Sequence, residues 1–198
     1  MEENSKIANC KLVIIGGSAG SLQSILKIIP FINKTISYSI VIVVHRKNTE
    51  DTILEDLISV KSSLPLYYVE DKLPIQTGCI YVAPSGYHML FEKNHTIALD
   101  ASEKVFYSRP SIDVSFESAA QIFNNELIGI LLSGANADGT LGLKTIQKRK
   151  GISIIQNPKT AEIPYMPEFA ILNSEPDYIL TEEEIVLFLN SLPKKKGE

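Results

Sequence analysis

The chain has 198 residues, 44% hydrophobic and 21% charged, which suits one well-buried soluble domain and falls short of two typical ones. A net charge of −4 and a pI near 5.5 give no basis for a nucleic-acid partner, and the one basic run, 194–196, reads as a solvated tail. No apolar stretch approaches the ~20 residues of a membrane span, the start MEENSKIANCK is unlike a secretory signal, and Cys10 and Cys79 lack the spacing of a disulfide framework or a metal site.

These features imply a cytoplasmic protein with reduced, structural cysteines. In chain order, 12–15 is a short β-branched run ending in Gly16-Gly17. Leu22, Ile25, Leu26, Ile28 and Ile29 then recur at near-helical spacing, and Pro30 marks the stop. Residues 39–44, SIVIVV, form a continuous apolar run, the pattern of a parallel strand buried on both faces. A helix is expected over 50–60, capped by Thr49, with Ile53, Leu54, Leu57 and Ile58 facing inward.

The middle of the chain changes character. Residues 66–69 read as a strand. CIYVA, the turn Pro84-Ser85-Gly86, HMLFE and HTIALD then suggest a meander or hairpin at one edge of the sheet. Alternation resumes with a helix from 111 to about 123, a strand at 127–132 and the loop SGANADG. A helix over 140–150 capped by Gly151, a strand at 152–155, a Pro-containing loop and a helix over 182–192 follow. The fold class is therefore α/β: doubly wound, with a mostly parallel sheet, helices on both faces and an antiparallel hairpin at one edge. With no repeat or linker, one domain is expected over 1–198, its core about 11–192.

Ligands in such sheets bind beyond the carboxyl ends of the strands. Three loops there carry reactive side chains. Gly16-Gly17-Ser18-Ala19-Gly20 fits G-x-S-x-G, a sharp strand-to-helix turn that exposes a serine hydroxyl. Taken alone it equally describes a glycine-rich turn that binds phosphate or merely turns. It lacks both the P-loop lysine and the dinucleotide G-x-G-x-x-G spacing.

His45 follows SIVIVV directly, while His88 and His95 fall in the hairpin region and read as solvent-facing. Asp138 lies in SGANADG, where a plain turn or helix-cap role competes with a catalytic one. Together the three form the set that acyl transfer needs: a weak hydroxyl nucleophile, an imidazole base and a carboxylate that orients it. Their order along the chain differs from that of the α/β-hydrolases.

The stretches VIIGGSAGS, VVHR, GCIYVAPSGYHM, RPSIDVSFESAA, GILLSGANADGTLGL and IIQNP, with Met166-Pro167, resemble the catalytic domain of the chemotaxis protein-glutamate methylesterases, CheB. The resemblance spans nearly the whole chain. It implies hydrolysis of glutamate γ-methyl esters on receptor signalling helices, with glutamine deamidation as a related activity and no cofactor or metal. The family's nucleophile falls on Ser18, its base on His45 and its acid on Asp138. Its oxyanion-binding backbone N–H groups fall on Ala19 and Ala135.

The implied partners are a methylated chemoreceptor or another receptor, and a methyltransferase or kinase of the same pathway. No direct membrane insertion is implied. Ala19 stands where the family usually has Thr, and Ala135 where it often has Met. Arg46-Lys47-Asn48 replaces the usual Met-Pro-Pro and adds two positive charges to the cleft wall, suited to acidic receptor helices.

With its first strand near residue 11, the chain resembles stand-alone family members that lack a receiver domain. Arg109-Pro110-Ser111 matches a family motif but reads as helix-start chemistry. The alternative from another functional class is a CheB-like docking module with weak or no turnover. The complete Ser-His-Asp set favours the enzyme, and the changes at Ala19, Ala135 and the His45 loop favour the module.

Overall fold

In the computed structural model, which describes residues 9–46 and 52–194, the apolar runs of the sequence become parallel strands. The elements in chain order are β1 (Leu12–Gly17), α1 (Ser21–Ile28), β2 (Ser39–Val44), α2 (Ile53–Lys61) and β3 (Leu66–Tyr67). Then come β4 (Ile80–Val82), β5 (His88–Phe91), β6 (Ile97–Asp100), α3 (Ile112–Phe123) and β7 (Leu127–Leu131). The series ends with α4 (Thr140–Lys148), β8 (Ile152–Gln156), α5 (Tyr165–Asn173), β9 (Tyr178–Leu180) and α6 (Glu182–Ser191).

Among the described residues the main sheet has seven strands in the order β3-β4-β2-β1-β7-β8-β9. Every pairing in it is parallel. The register sets Val13 beside Ile40 and Ile128, and Ile15 beside Ile42 and Ile130. This row faces one core, shared with Ile25 and Ile28 of α1, Ile58 of α2, and Ile185 and Leu189 of α6. The alternate row, with Leu12, Ile14, Val41 and Val43, faces a second core built with α3, α4 and α5. Two cores, one per face, explain why β1 and β2 read as unbroken apolar runs. Each fully buried Ile contributes roughly 1.5–3 kcal/mol relative to exposure.

α3 lies directly across the end of β1. A Cβ on Gly16 would come 2.4 Å from Ile112 Cγ2 and 2.9 Å from Phe116 Cζ, so glycine is what allows this approach. The antiparallel hairpin β5–β6 forms its own two-stranded sheet, separate from the main one. It packs through Met89, Phe91 and Ile97 into the second core, and the Phe91 N–H donates to Ser118 Oγ of α3 at 2.9 Å. The hairpin therefore rests on a helix and leaves β3 and β9 as the edges of the main sheet. β4, which the sequence grouped with the hairpin, is an inner parallel strand between β3 and β2.

Other local expectations change. Thr49, Glu50 and the start of the expected helix lie outside the described residues, as do Lys47 and Asn48. In α2, Ile53 is 70% exposed while Glu55 is buried, because Glu55 pairs with Arg46 at 2.6 Å. The turn after α4 is left-handed at Lys150 (φ 66°) rather than at Gly151. Gly151 is needed for another reason, since a Cβ there would lie 2.8 Å from the carbonyl oxygen of Leu127. α5 and β9 were not anticipated. Cys10 and Cys79 are buried and are not joined in a disulfide. No helix among the described residues is long and apolar enough to cross a membrane.

Candidate active site

β2, β1 and β7 are neighbours, and the winding reverses between β1 and β7, so the loops after these strands converge at the crevice of the sheet. Ser18 follows β1 on a turn that requires its glycines. A Cβ on Gly17 would come 2.4 Å from Ser21 Cβ, and Gly20 has φ +81° with Ser133 Oγ 2.7 Å from where a Cβ would sit. The Ser18 N–H donates to the Ser133 carbonyl at 2.9 Å, and the Ser133 hydroxyl donates to the Ala19 carbonyl at 2.8 Å. The nucleophile-like turn is thus sewn to the loop after β7.

His45 continues the β1–β2 ladder, its N–H donating to Gly17 O at 3.2 Å. Asp138 is fully buried. Its Oδ1 accepts from Ser111 Oγ (3.0 Å) and from the N–H groups of Asp113 (2.9 Å) and Gly139 (3.1 Å). Its Oδ2 accepts from the Ile112 N–H (2.8 Å) and from the His45 ring. The carboxylate therefore sits on the free N–H groups at the start of α3, where the helix dipole also favours negative charge.

The structure brings the three sequence-predicted side chains together. His45 Nε2 lies 2.8 Å from Asp138 Oδ2, and Nδ1 lies 3.2 Å from Ser18 Oγ. Both distances fall within the ~2.6–3.2 Å reach of a productive proton relay. A carboxylate only accepts, so Nε2 carries the ring proton and Nδ1 offers its lone pair to the serine hydroxyl. The two ring nitrogens exchange the roles they have in chymotrypsin-type enzymes. Burial alone would raise the Asp138 carboxyl, but the hydrogen bonds from His45, Asp113 and Ile112 outweigh it and hold the group below its ordinary value.

Asp113, one residue into α3, behaves oppositely. Burial pushes it up to about 7, and the charges of Asp138 and Glu117 add to the rise against the opposing hydrogen bond from Gly142. One of its oxygens accepts that bond at 2.7 Å, and the other is buried without a partner. Two neighbouring carboxyls thus differ: one is held ionised and the other titrates near neutrality.

Ala19 and Ala135 are exposed at the mouth of the crevice, and their N–H groups take no partner among the described residues. Two cavities flank His45. One, of about 300 Å³, is apolar and lined by Ser18, Leu22, Ile25, Leu54 and Leu57. The other, of about 460 Å³, is polar and lined by Gly86, Lys104, Tyr107 and Arg109. Arg46 borders both, but its guanidinium is turned onto Glu55 and only 12% of its side chain is exposed. The expected free positive charge at this position is neutralised inside the wall. Among the described residues no group of three or more His, Cys, Asp or Glu is gathered to hold a metal ion.

Other histidines and several polar residues differ from the sequence reading. His88 is buried, not solvent-facing, with Nε2 donating to the Glu103 carbonyl at 2.9 Å and Nδ1 accepting from the Ser111 N–H at 3.1 Å. It braces the segment that leads into α3. His95 is exposed and stacks on Phe123. Arg109 donates to the carbonyls of Ala101 and Ser102, both at 2.6 Å.

Two functional neighbours were missed. Gln156 is fully buried and accepts from the Ser133 N–H at 2.8 Å, holding the loop after β7. A glutamine ending the apolar strand ISIIQ was the available signal. Asn136 lies beside the histidine, its Nδ2 3.4 Å from His45 Nδ1. It was hidden among residues that merely look like a turn.

Known proteins resemble this chain across most of its length. The family model of the CheB methylesterase matches residues 13–189. A Leptospira interrogans protein with the provisional name protein-glutamate methylesterase/protein-glutamine glutaminase is 41% identical over 181 residues, covering 89% of this chain and 92% of that protein. A Pyrococcus abyssi protein-glutamate methylesterase/protein-glutamine glutaminase is 32% identical, covering 87% of this chain and 48% of its own length. The crystal structure of the Thermotoga maritima CheB methylesterase catalytic domain superposes with a TM-score of 0.87 at 29% identity, covering 91% of this chain and 97% of that one. With its fold, its crevice and the length of the match in accord, the chain belongs to the CheB methylesterase family.

Proposed function

We propose that this protein hydrolyses glutamate γ-methyl esters on the signalling helices of a chemoreceptor, through an acyl-enzyme on Ser18. The observation that carries the reading is the hydrogen-bonded chain from Asp138 through His45 to Ser18, at 2.8 and 3.2 Å. Asp138 holds the ring with its proton on Nε2. Nδ1 takes the Ser18 proton as Oγ attacks the ester carbonyl, and the N–H groups of Ala19 and Ala135 receive the oxyanion. Collapse expels methanol, which leaves with the proton from Nδ1. Water then attacks the acyl-enzyme by the same route. An amide substrate follows this path with ammonia as leaving group, which makes glutamine deamidation a second activity of the same site.

The apolar cavity beside Ser18 suits the methylene stem and the methyl group of the ester. We read the described residues as one catalytic domain acting in the cytoplasm, with a methyltransferase or kinase of the same pathway as further partners. The test is methanol release from a methylated receptor signalling domain, by this protein and by Ser18→Ala. Release that disappears in the variant supports the enzyme. Absence of release from both, on a receptor that binds, favours the docking module.

A further inference from the structure

The Asn136 side chain is oriented by the backbone beside it. Its Oδ1 accepts from the Asp138 N–H at 3.1 Å, which turns its amide nitrogen toward His45 Nδ1, 3.4 Å away. Because Nε2 carries the ring proton toward Asp138, Nδ1 is a lone pair with two donors aimed at it, the Ser18 hydroxyl and the Asn136 amide. That arrangement holds only while Nδ1 is unprotonated. Once the serine proton moves to Nδ1, two N–H donors face each other and the amide must find a new acceptor. The acceptor created at that moment is the oxyanion, formed on the carbonyl that Ser18 Oγ has attacked.

We propose that Asn136 is a further catalytic residue, a side-chain donor that rests on His45 Nδ1 and passes to the oxyanion as the tetrahedral intermediate forms. The inference rests on the assignment of Ser18 as nucleophile and His45 as base. In the step itself the Ser18 O–H bond breaks, its proton goes to Nδ1, and the Oγ–C bond forms. The carbonyl π pair moves onto oxygen, where the Asn136 N–H meets it alongside any backbone donors. Such a donor compensates for Ala19, which offers no hydroxyl to the same charge.

Charged groups surround His45 on every side. Asp138 faces Nε2, the Arg46–Glu55 pair closes the α2 side, and Lys104 and Arg109 line the opposite cavity. Asn136 adds no charge to this set.

The experiment compares wild type, Asn136→Ala and Asn136→Asp, with Ser18→Ala as blank, using the rate at which a fluorophosphonate labels Ser18 as a function of pH. Phosphonylation also develops charge on an oxygen and needs no knowledge of the natural ester. Asn136→Asp keeps an acceptor for the Asp138 N–H and loses the amide donor, and because it also adds a charge beside His45, its slowing counts only together with that of the uncharged Asn136→Ala.

The expected result is labelling slowed about 10²-fold in both variants across the pH range. Wild-type labelling in Asn136→Asp alone assigns Asn136 to the turn and overturns the proposal, as do wild-type rates and profiles in both variants. Failure of the methylesterase reading is distinct, because it appears as wild-type protein that labels at Ser18 yet releases no methanol from the receptor.

Discussion

Asp138 is fully buried and receives the N–H groups of Ile112, Asp113 and Gly139, the Ser111 hydroxyl and the His45 ring. Ser18, at the other end of the same chain of bonds, is half-buried, and among the described residues its hydroxyl meets only His45. The acid end is built into the start of α3 and is as much a part of the fold as any core isoleucine. The serine end is held by its backbone alone, which leaves the hydroxyl free to react. Their environments predict that function and stability separate cleanly at one end and cannot be separated at the other.

Ser18→Ala is the sharpest way to test that contrast. Ester hydrolysis should fall on the order of 10⁴–10⁶-fold, while thermal or urea unfolding changes by no more than about 0.5 kcal/mol. Asp138→Asn should damage both properties. An asparagine amide in either orientation points a donor at donors, so activity drops about 10⁴-fold and stability falls by on the order of 3 kcal/mol. A Ser18→Ala variant that unfolds as readily as Asp138→Asn would break the comparison.

Gly16→Ala tests the link between the two ends, since its methyl group would press on Ile112 and Phe116. Moving α3 should cost about 1–3 kcal/mol and also lower activity, by shifting the N–H groups that hold Asp138.

The smallest expected effect concerns pH. Asp113 is raised in the folded state, so it binds more protons folded than unfolded between about pH 4 and its folded value of about 7. Its contribution is present in full below that window and is lost as pH rises through it. Asp138 is lowered and has the opposite sign, with stability present above the ordinary carboxylate range and lost as pH falls below it. Asp113→Asn should therefore flatten the urea midpoint between pH 4 and 8, and at pH 8 should exceed wild type. An unchanged slope in that variant would remove Asp113 from the account.

Much of this was legible in the sequence, for reasons that differ by region. Strands buried on both faces announce themselves as apolar runs, and SIVIVV and LVII fixed β1 and β2 without ambiguity. The strand ends then located Ser18, His45 and Asp138. β9 is only three residues long, and α5 is apolar with no one-sided period, so neither produced a readable pattern.

The hairpin strands were found, but their partner was not. Alternation reveals a half-buried strand and says nothing about whether a sheet or a helix covers it. His88 was misread for the same reason, because its burial depends on contacts with Glu103 and Ser111, distant in sequence. Arg46 read as a positive charge presented on the cleft wall until the fold paired it with Glu55.

The seat of Asp138 at the head of α3 also bears on how this family drifts. A copy that lost its chemistry and survived as a docking protein would still need a carboxylate there to close the helix, and would go on displaying the acid long after it ceased to use it. The serine has no such second employment. In comparing descendants of this fold, retention of Asp138 therefore reports little beyond folding, and under the proposed mechanism the residue whose replacement marks the end of catalysis is Ser18.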